Sequence, residues 1–237
     1  MTKYLKLYNT DTERTSFESS TNYEEPYTSR IKNTTNIFYN KSDRQGGQIL
    51  SYDAEIEFIQ NSESQCIITN YVPTGPNIKI QGKFTPINYT AAYAPWFQAY
   101  TSENADSYRI IRHNTDNNSV YYTCGSKAGG SGSHTVSLNT TYVFEMTRNS
   151  LTLNGTVKTF TPTAGTANTG KLAIFCSASK GSFTRGKLYY FKVWDSELLI
   201  FDFIPVRIGQ TGYLYDKVSG ELFGNAGTGN FILGPDV

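Results

Sequence analysis

Asp53, Glu55 and Glu57 form the most suggestive chemical pattern in this chain. At alternate positions they fall on one face of a strand. Same-face neighbours stand about 7 Å apart, near the separation of the paired carboxylates that cleave glycosidic bonds. The same three residues also describe the solvated face of a strand that opens a sheet, and that is the preferred reading. His113 and His134 are the only histidines. Each lies in or beside a loop, without a patterned Ser, Cys or Asp partner, so neither marks a nucleophilic triad. Cys66, Cys124 and Cys176 are odd in number and fit no metal-ligand spacing. Their strand-like neighbours make them small buried hydrophobes. Gly224 to Gly229 lacks the Lys-Ser/Thr pair and the following helix of a phosphate loop, so it is a turn. Tyr93, Trp96 and Tyr100 can stack on sugar rings, although rings in such a stretch more often fill a core. No residue is assigned a catalytic role.

The elements that must position these groups are strands. Ile78, Ile80, Gly82 and Phe84 alternate with Lys79, Gln81 and Lys83, the clearest half-buried strand in the chain. Tyr142, Phe144 and Met146 alternate with Val143, Glu145 and Thr147. Tyr108–Arg112 and Val120–Tyr122 pair across residues 114–118. Asn154-Gly155 is the strongest two-residue hairpin signal available. Leu188 to Trp194 reads as a long, largely apolar strand, followed after Asp195-Ser196 by Leu198 to Ile204. Both faces of the first of these read as apolar, which predicts a strand covered on two sides. Pro205 should end the second or place it at an edge. Strands recur every dozen or so residues without a convincing helix, which means a sandwich or barrel.

Composition narrows the function classes. The chain has 237 residues, 18 Tyr and 14 Phe, with only 17% charged residues and a net charge of +1. That length carries one large all-β domain and a small extra segment. The charge balance gives no electrostatic case for nucleic acid. No apolar run approaches a membrane span. The opening MTKYLKLYNTDTERTS holds no cleavable apolar segment. The expectation is a protein that stays where it is made or leaves inside an assembled particle. On that reading the sequons at Asn33 and Asn139 predict nothing.

The stretch KLYYFKVWDSELLIFDFIPVR, followed by GYLYDKVSGELFGNAGTGNFILG, resembles the C-terminal part of laminin-G-like (concanavalin A-like) domains of gut bacteria and their phages. Upstream, IEFIQNSESQCIITNYVPTGPNIKIQGKF resembles the first strands of the same domain, with Glu63 in place of a glycine and Cys66 in place of an aromatic residue. The resemblance spans about Glu55 to Gly234 and implies an all-β, antiparallel jelly-roll sandwich over residues 48–237. Such domains often hold calcium at the sandwich rim through Asp, Asn and backbone oxygens. Asp116, Asn117, Asn118 and Asp216 are the oxygens on offer here, and side-chain turn formation accounts for them equally well. Some relatives of the fold are glucanases, but their carboxylates occupy a middle strand inside a cleft, whereas Asp53, Glu55 and Glu57 open the sheet.

Residues 1–47 form a first unit too small to bury its own core. Within it PYTSRIKNTTNIFYNK resembles a short leader carried ahead of varied domains in Bacteroidota and phage surface proteins. A small β leader that docks to capsid or tail proteins is therefore expected, joined through Gln45-Gly46-Gly47-Gln48. The resemblances together imply a non-enzymatic virion protein, of head-fibre, capsid-decoration or tail type. Its sandwich would adhere to glycans or a host surface, and it would assemble as a homo-oligomer. The alternatives are a bacterial carbohydrate-binding lectin and, less favoured, a glycoside hydrolase, tested through Glu55 and Glu57. No cofactor is expected beyond the calcium the family implies.

Overall fold

The computed structural model describes residues 51–237 apart from 103–104, 114–115, 126–131 and 162–164. The leader expected over 1–47 lies outside the described residues. In chain order the strands are β1 (Ala54–Glu55), β2 (Ile59–Asn61), β3 (Ile67–Ile68), β4 (Ile78–Tyr89), β5 (Pro95–Ala99) and β6 (Ser107–His113). There follow β7 (Asp116–Gly125), β8 (Gly132–Thr135), β9 (Tyr142–Thr147), β10 (Ser150–Leu153), β11 (Thr156–Thr159) and β12 (Ala173–Ile174). The chain closes with β13 (Thr184–Asp195), β14 (Leu198–Ile208), β15 (Thr211–Asp216), β16 (Leu222–Phe223) and β17 (Ile232–Leu233). The described residues contain no helix, and so none long and apolar enough to cross a membrane.

The strands pair antiparallel in two sheets. The larger runs β11-β10-β9-β4-β13-β14-β15-β16, with β1 beside β14, β2 beside β13 and β17 beside β2; the smaller runs β3-β12-β5-β6-β7-β8. Their inner faces share one core. Alternation decides which side chains reach it: Ile78, Ile80 and Phe84 are buried while Lys79, Gln81 and Lys83 are half-buried on the other side. Aromatic rings form the seam between the sheets. Phe84 stacks on Trp96 at 4.9 Å, Phe97 stacks on Phe144 at 5.7 Å, and Phe191 meets Phe97 edge-on at 5.2 Å. Such pairs add about 0.5–1.5 kcal/mol each beyond the area they bury.

Three expectations change. The strand begun at Ala54 is only two residues long, and the pattern resumes at Ile59 after a break. Pro205 does not end β14. It sits where the neighbour changes, after β14 pairs β13 as far as Phe203 and before it pairs β1 at Val206. A residue without an N–H suits that fork, and its carbonyl accepts from Ile56 N at 3.0 Å. Finally, β13 is not covered on both sides. Leu188, Phe191 and Val193 are buried, but Tyr190, Lys192 and Trp194 are half-buried on the outer face of the large sheet.

Candidate functional site

That outer face is built by register. Glu145 on β9 stands beside Gln81 on β4, Gln81 beside Lys192 on β13, and Lys192 beside Asp202 on β14. One row of polar side chains therefore crosses four strands. Within it Gln81 Nε2 donates to the Glu145 carboxylate, and Lys192 Nζ lies 3.1 Å from Asp202 Oδ1. Two residues along β4 and β13 lie flanking rows, with Lys79 opposite Trp194 and Lys83 opposite Tyr190. Between the strands is an open depression of about 430 Å³ lined by Gln81, Tyr190, Lys192, Asp202, Ile204 and Lys217. Partial burial raises the Tyr190 phenol above its ordinary pKa, against the nearby Lys192 ammonium. It therefore stays a neutral hydrogen-bond donor at physiological pH. The depression offers an amide, a phenol, two ammonium groups and a carboxylate beside the Ile204 side chain. That is a set for binding polar, hydroxylated ligands.

The rings on this face are dressed by lysines. Lys79 Nζ lies 4.1 Å from the Trp194 ring centroid, Lys83 Nζ 4.5 Å from Tyr189, and Lys187 Nζ 4.2 Å from Phe58. Each ammonium gains about 0.5–1 kcal/mol from the ring at such exposed sites.

The residues singled out from the sequence fare differently. Trp96 is 1% exposed and donates from Nε1 to Tyr89 Oη at 3.1 Å, so it is core and presents no ring to a ligand. Tyr93 is 45% exposed with a left-handed φ of 58°. Tyr100 is half-buried with the Arg109 guanidinium 4.3 Å from its ring. The two tyrosines flank β5 at opposite ends and form no common platform. Asp216 is fully buried. Its carboxylate accepts from the backbone N–H groups of Asp202, Val218 and Ser219 and from the Ser219 hydroxyl. It is the organiser of a turn, not an open oxygen ligand. Asn118 is exposed, and the side chains of Asp116, Asn117 and His113 lie outside the described residues. Among the described residues no three His, Cys, Asp or Glu side chains converge to hold a metal. Glu57 is exposed and Glu55 is half-buried on β1, and neither lines the depression. His134 is buried with its ring nitrogens 3.2 and 3.3 Å from the Thr135 and Thr156 carbonyls.

The glycine-rich stretch is likewise structural. Asn225 Oδ1 accepts from Cys66 N at 2.9 Å and Gly227 N at 2.8 Å, while its Nδ2 donates to the Gly229 carbonyl at 2.7 Å. A Cβ on Gly227 would overlap the Ser64 carbonyl oxygen. The loop is thus pinned to the segment between β2 and β3. All three cysteines are free and buried. Burial pushes Cys124 up to about 12, and Cys176 is held well above the usual thiol range by its hydrogen bond with Cys66 and by burial. Compared with known protein families and with curated proteins, the chain matches no family model and no curated protein.

Sequence reasoning missed the face because it sought chemistry in isolated residues. The signal was present: Lys79, Gln81 and Lys83 share one side of β4, and Tyr190, Lys192 and Trp194 one side of β13. What placed them together was the pairing of two strands a hundred residues apart.

Proposed function

We propose that this chain is a non-enzymatic adhesion protein, carried on a phage particle as a head-fibre, capsid-decoration or tail-associated component. Its sandwich binds surface glycans through the outer face of the large sheet. One observation carries the adhesive part. The depression brings Gln81, Tyr190, Lys192 and Asp202 to a single open surface, where sugar hydroxyls would find donors and acceptors already in place. The particle part rests on the resemblance of the sandwich and the leader to phage surface proteins. A bacterial lectin would use the same face.

Glycan-array binding of the full chain tests the adhesive part, with Gln81→Ala/Tyr190→Ala as the comparison. Binding that the double variant loses is expected, and an array without signal contradicts the reading. Co-sedimentation with purified particles tests the location. A chain that stays in the soluble fraction favours the lectin.

A further inference from the structure

We infer that the ligand of this face is an acidic polysaccharide, a polymer carrying carboxylate groups on its sugars, recognised by charge and not by ring stacking. The inference rests on the adhesive reading above and gives it a ligand class. Three observations lead to it. First, the face is cationic although the chain is nearly neutral. Lys79, Lys83, Lys187, Lys192 and Lys217 stand on it or at its border, against Glu145 and Asp202, with Glu55 on the same side of the sheet opposite Val206. Second, Asp202 is ion-paired with Lys192, and although the neutral Gln81 amide leaves the charge of Glu145 in place, Lys79, Lys83, Lys187 and Lys217 outnumber the acids that remain. The charge left for a ligand is therefore positive. Third, Trp194, Tyr189 and Phe58 each have a lysine ammonium within 4.5 Å of the ring centroid. A sugar ring seeking those faces must first displace a cation. A carboxylate instead meets N–H donors whose stems are already packed, which lowers the ordering cost of binding.

Lys79, Gln81 and Lys83 recur every second residue of β4, about 7 Å apart. In the middle row Gln81 and Lys192 each already hold a carboxylate, so the lysines left to a ligand are those of the flanking rows.

The full chain would be titrated with polygalacturonate, neutral dextran, dextran sulfate and inorganic polyphosphate, at low and at raised salt. Polygalacturonate is expected to bind, weaken with salt, and exceed dextran by about tenfold or more. Lys79→Met/Lys83→Met keeps the packing of the stems and should lose about tenfold for polygalacturonate, with an unchanged thermal midpoint showing that the fold is intact. Equal binding of dextran and polygalacturonate, or a double variant that binds polygalacturonate as tightly as the parent, overturns the inference. Preference for dextran sulfate or polyphosphate over polygalacturonate overturns it as well. If neutral glycans bind and Gln81→Ala/Tyr190→Ala abolishes that binding, the adhesive reading stands while the charge-based one falls. If no polysaccharide binds, both fall.

Discussion

Asn225 and Asp216 are the two side chains on which the closing segment of the chain turns. Asn225 ties a loop to the backbone of Cys66, and Asp216 gathers four donors from three different residues. Both are short side chains satisfying backbone N–H groups that would otherwise lack a partner. Removing an acceptor from a buried donor costs about 1–3 kcal/mol, more when the acceptor is charged. Asn225→Ala is therefore expected to cost about 2 kcal/mol and Asp216→Ala about 3 kcal/mol, read as a lowered urea midpoint at unchanged m-value. Midpoints within error of the parent would contradict these roles. From the sequence, Asp216 was a candidate calcium ligand because Asp and Asn oxygens serve turns and cations alike. Only its burial and its four donors separate the two uses.

Among the elements, the β13–β14 hairpin and strand β4 carry the sheet that forms the candidate face. The hairpin closes through Ser196 and Glu197, both left-handed with φ of 50° and 72°. Neither residue prefers that conformation, which costs a non-glycine residue about 1–2 kcal/mol. Asn-Gly at these positions is expected to raise stability by about 1 kcal/mol, as a higher denaturation midpoint. An unchanged or lowered midpoint would mean that the turn is not strained. In β4 a Cβ on Gly82 would stand 2.5 Å from the Phe144 ring. Gly82→Ala is expected to cost about 1–3 kcal/mol through overpacking, whereas Thr152→Ala on the exposed side of β10 should stay within about 0.5 kcal/mol. Much at this scale was legible. The alternation in β4 and β9, the Asn154-Gly155 turn and the pairing of β6 with β7 follow from local sequence. The break after Glu55 and the passage of β14 through Pro205 do not, because each depends on which strand lies alongside.

For the whole molecule, the aromatic core sets an alkaline limit. Burial raises the phenols of Tyr71, Tyr89, Tyr108 and Tyr122, with Tyr89 pushed up to about 12, and raises the Cys124 thiol to about the same value. A folded-state pKa above the unfolded value means that the native state holds the proton more tightly. The stability this contributes is complete below the ordinary values of about 9 for a thiol and about 10 for a phenol. It is lost as pH rises through the folded values. The urea midpoint is therefore expected to hold to about pH 9 and to fall from about pH 10 upward, with phenolate absorbance rising together with unfolding. A midpoint flat through pH 12 would contradict the burial of these groups. The sequence by itself determined that this protein is all-β and antiparallel, because a period-two alternation of apolar and polar residues can bury only one face of a strand at a time. It also determined that the three cysteines are core, since each lies in an apolar strand-like run. The tertiary structure alone decided what the polar faces do. β4 and β13 are a hundred residues apart, and only their register sets Gln81 beside Lys192 and Lys79 under Trp194. Packing of the two sheets encloses Trp96 against Phe84, Tyr142 and Phe144, although in sequence it is an aromatic residue like any other.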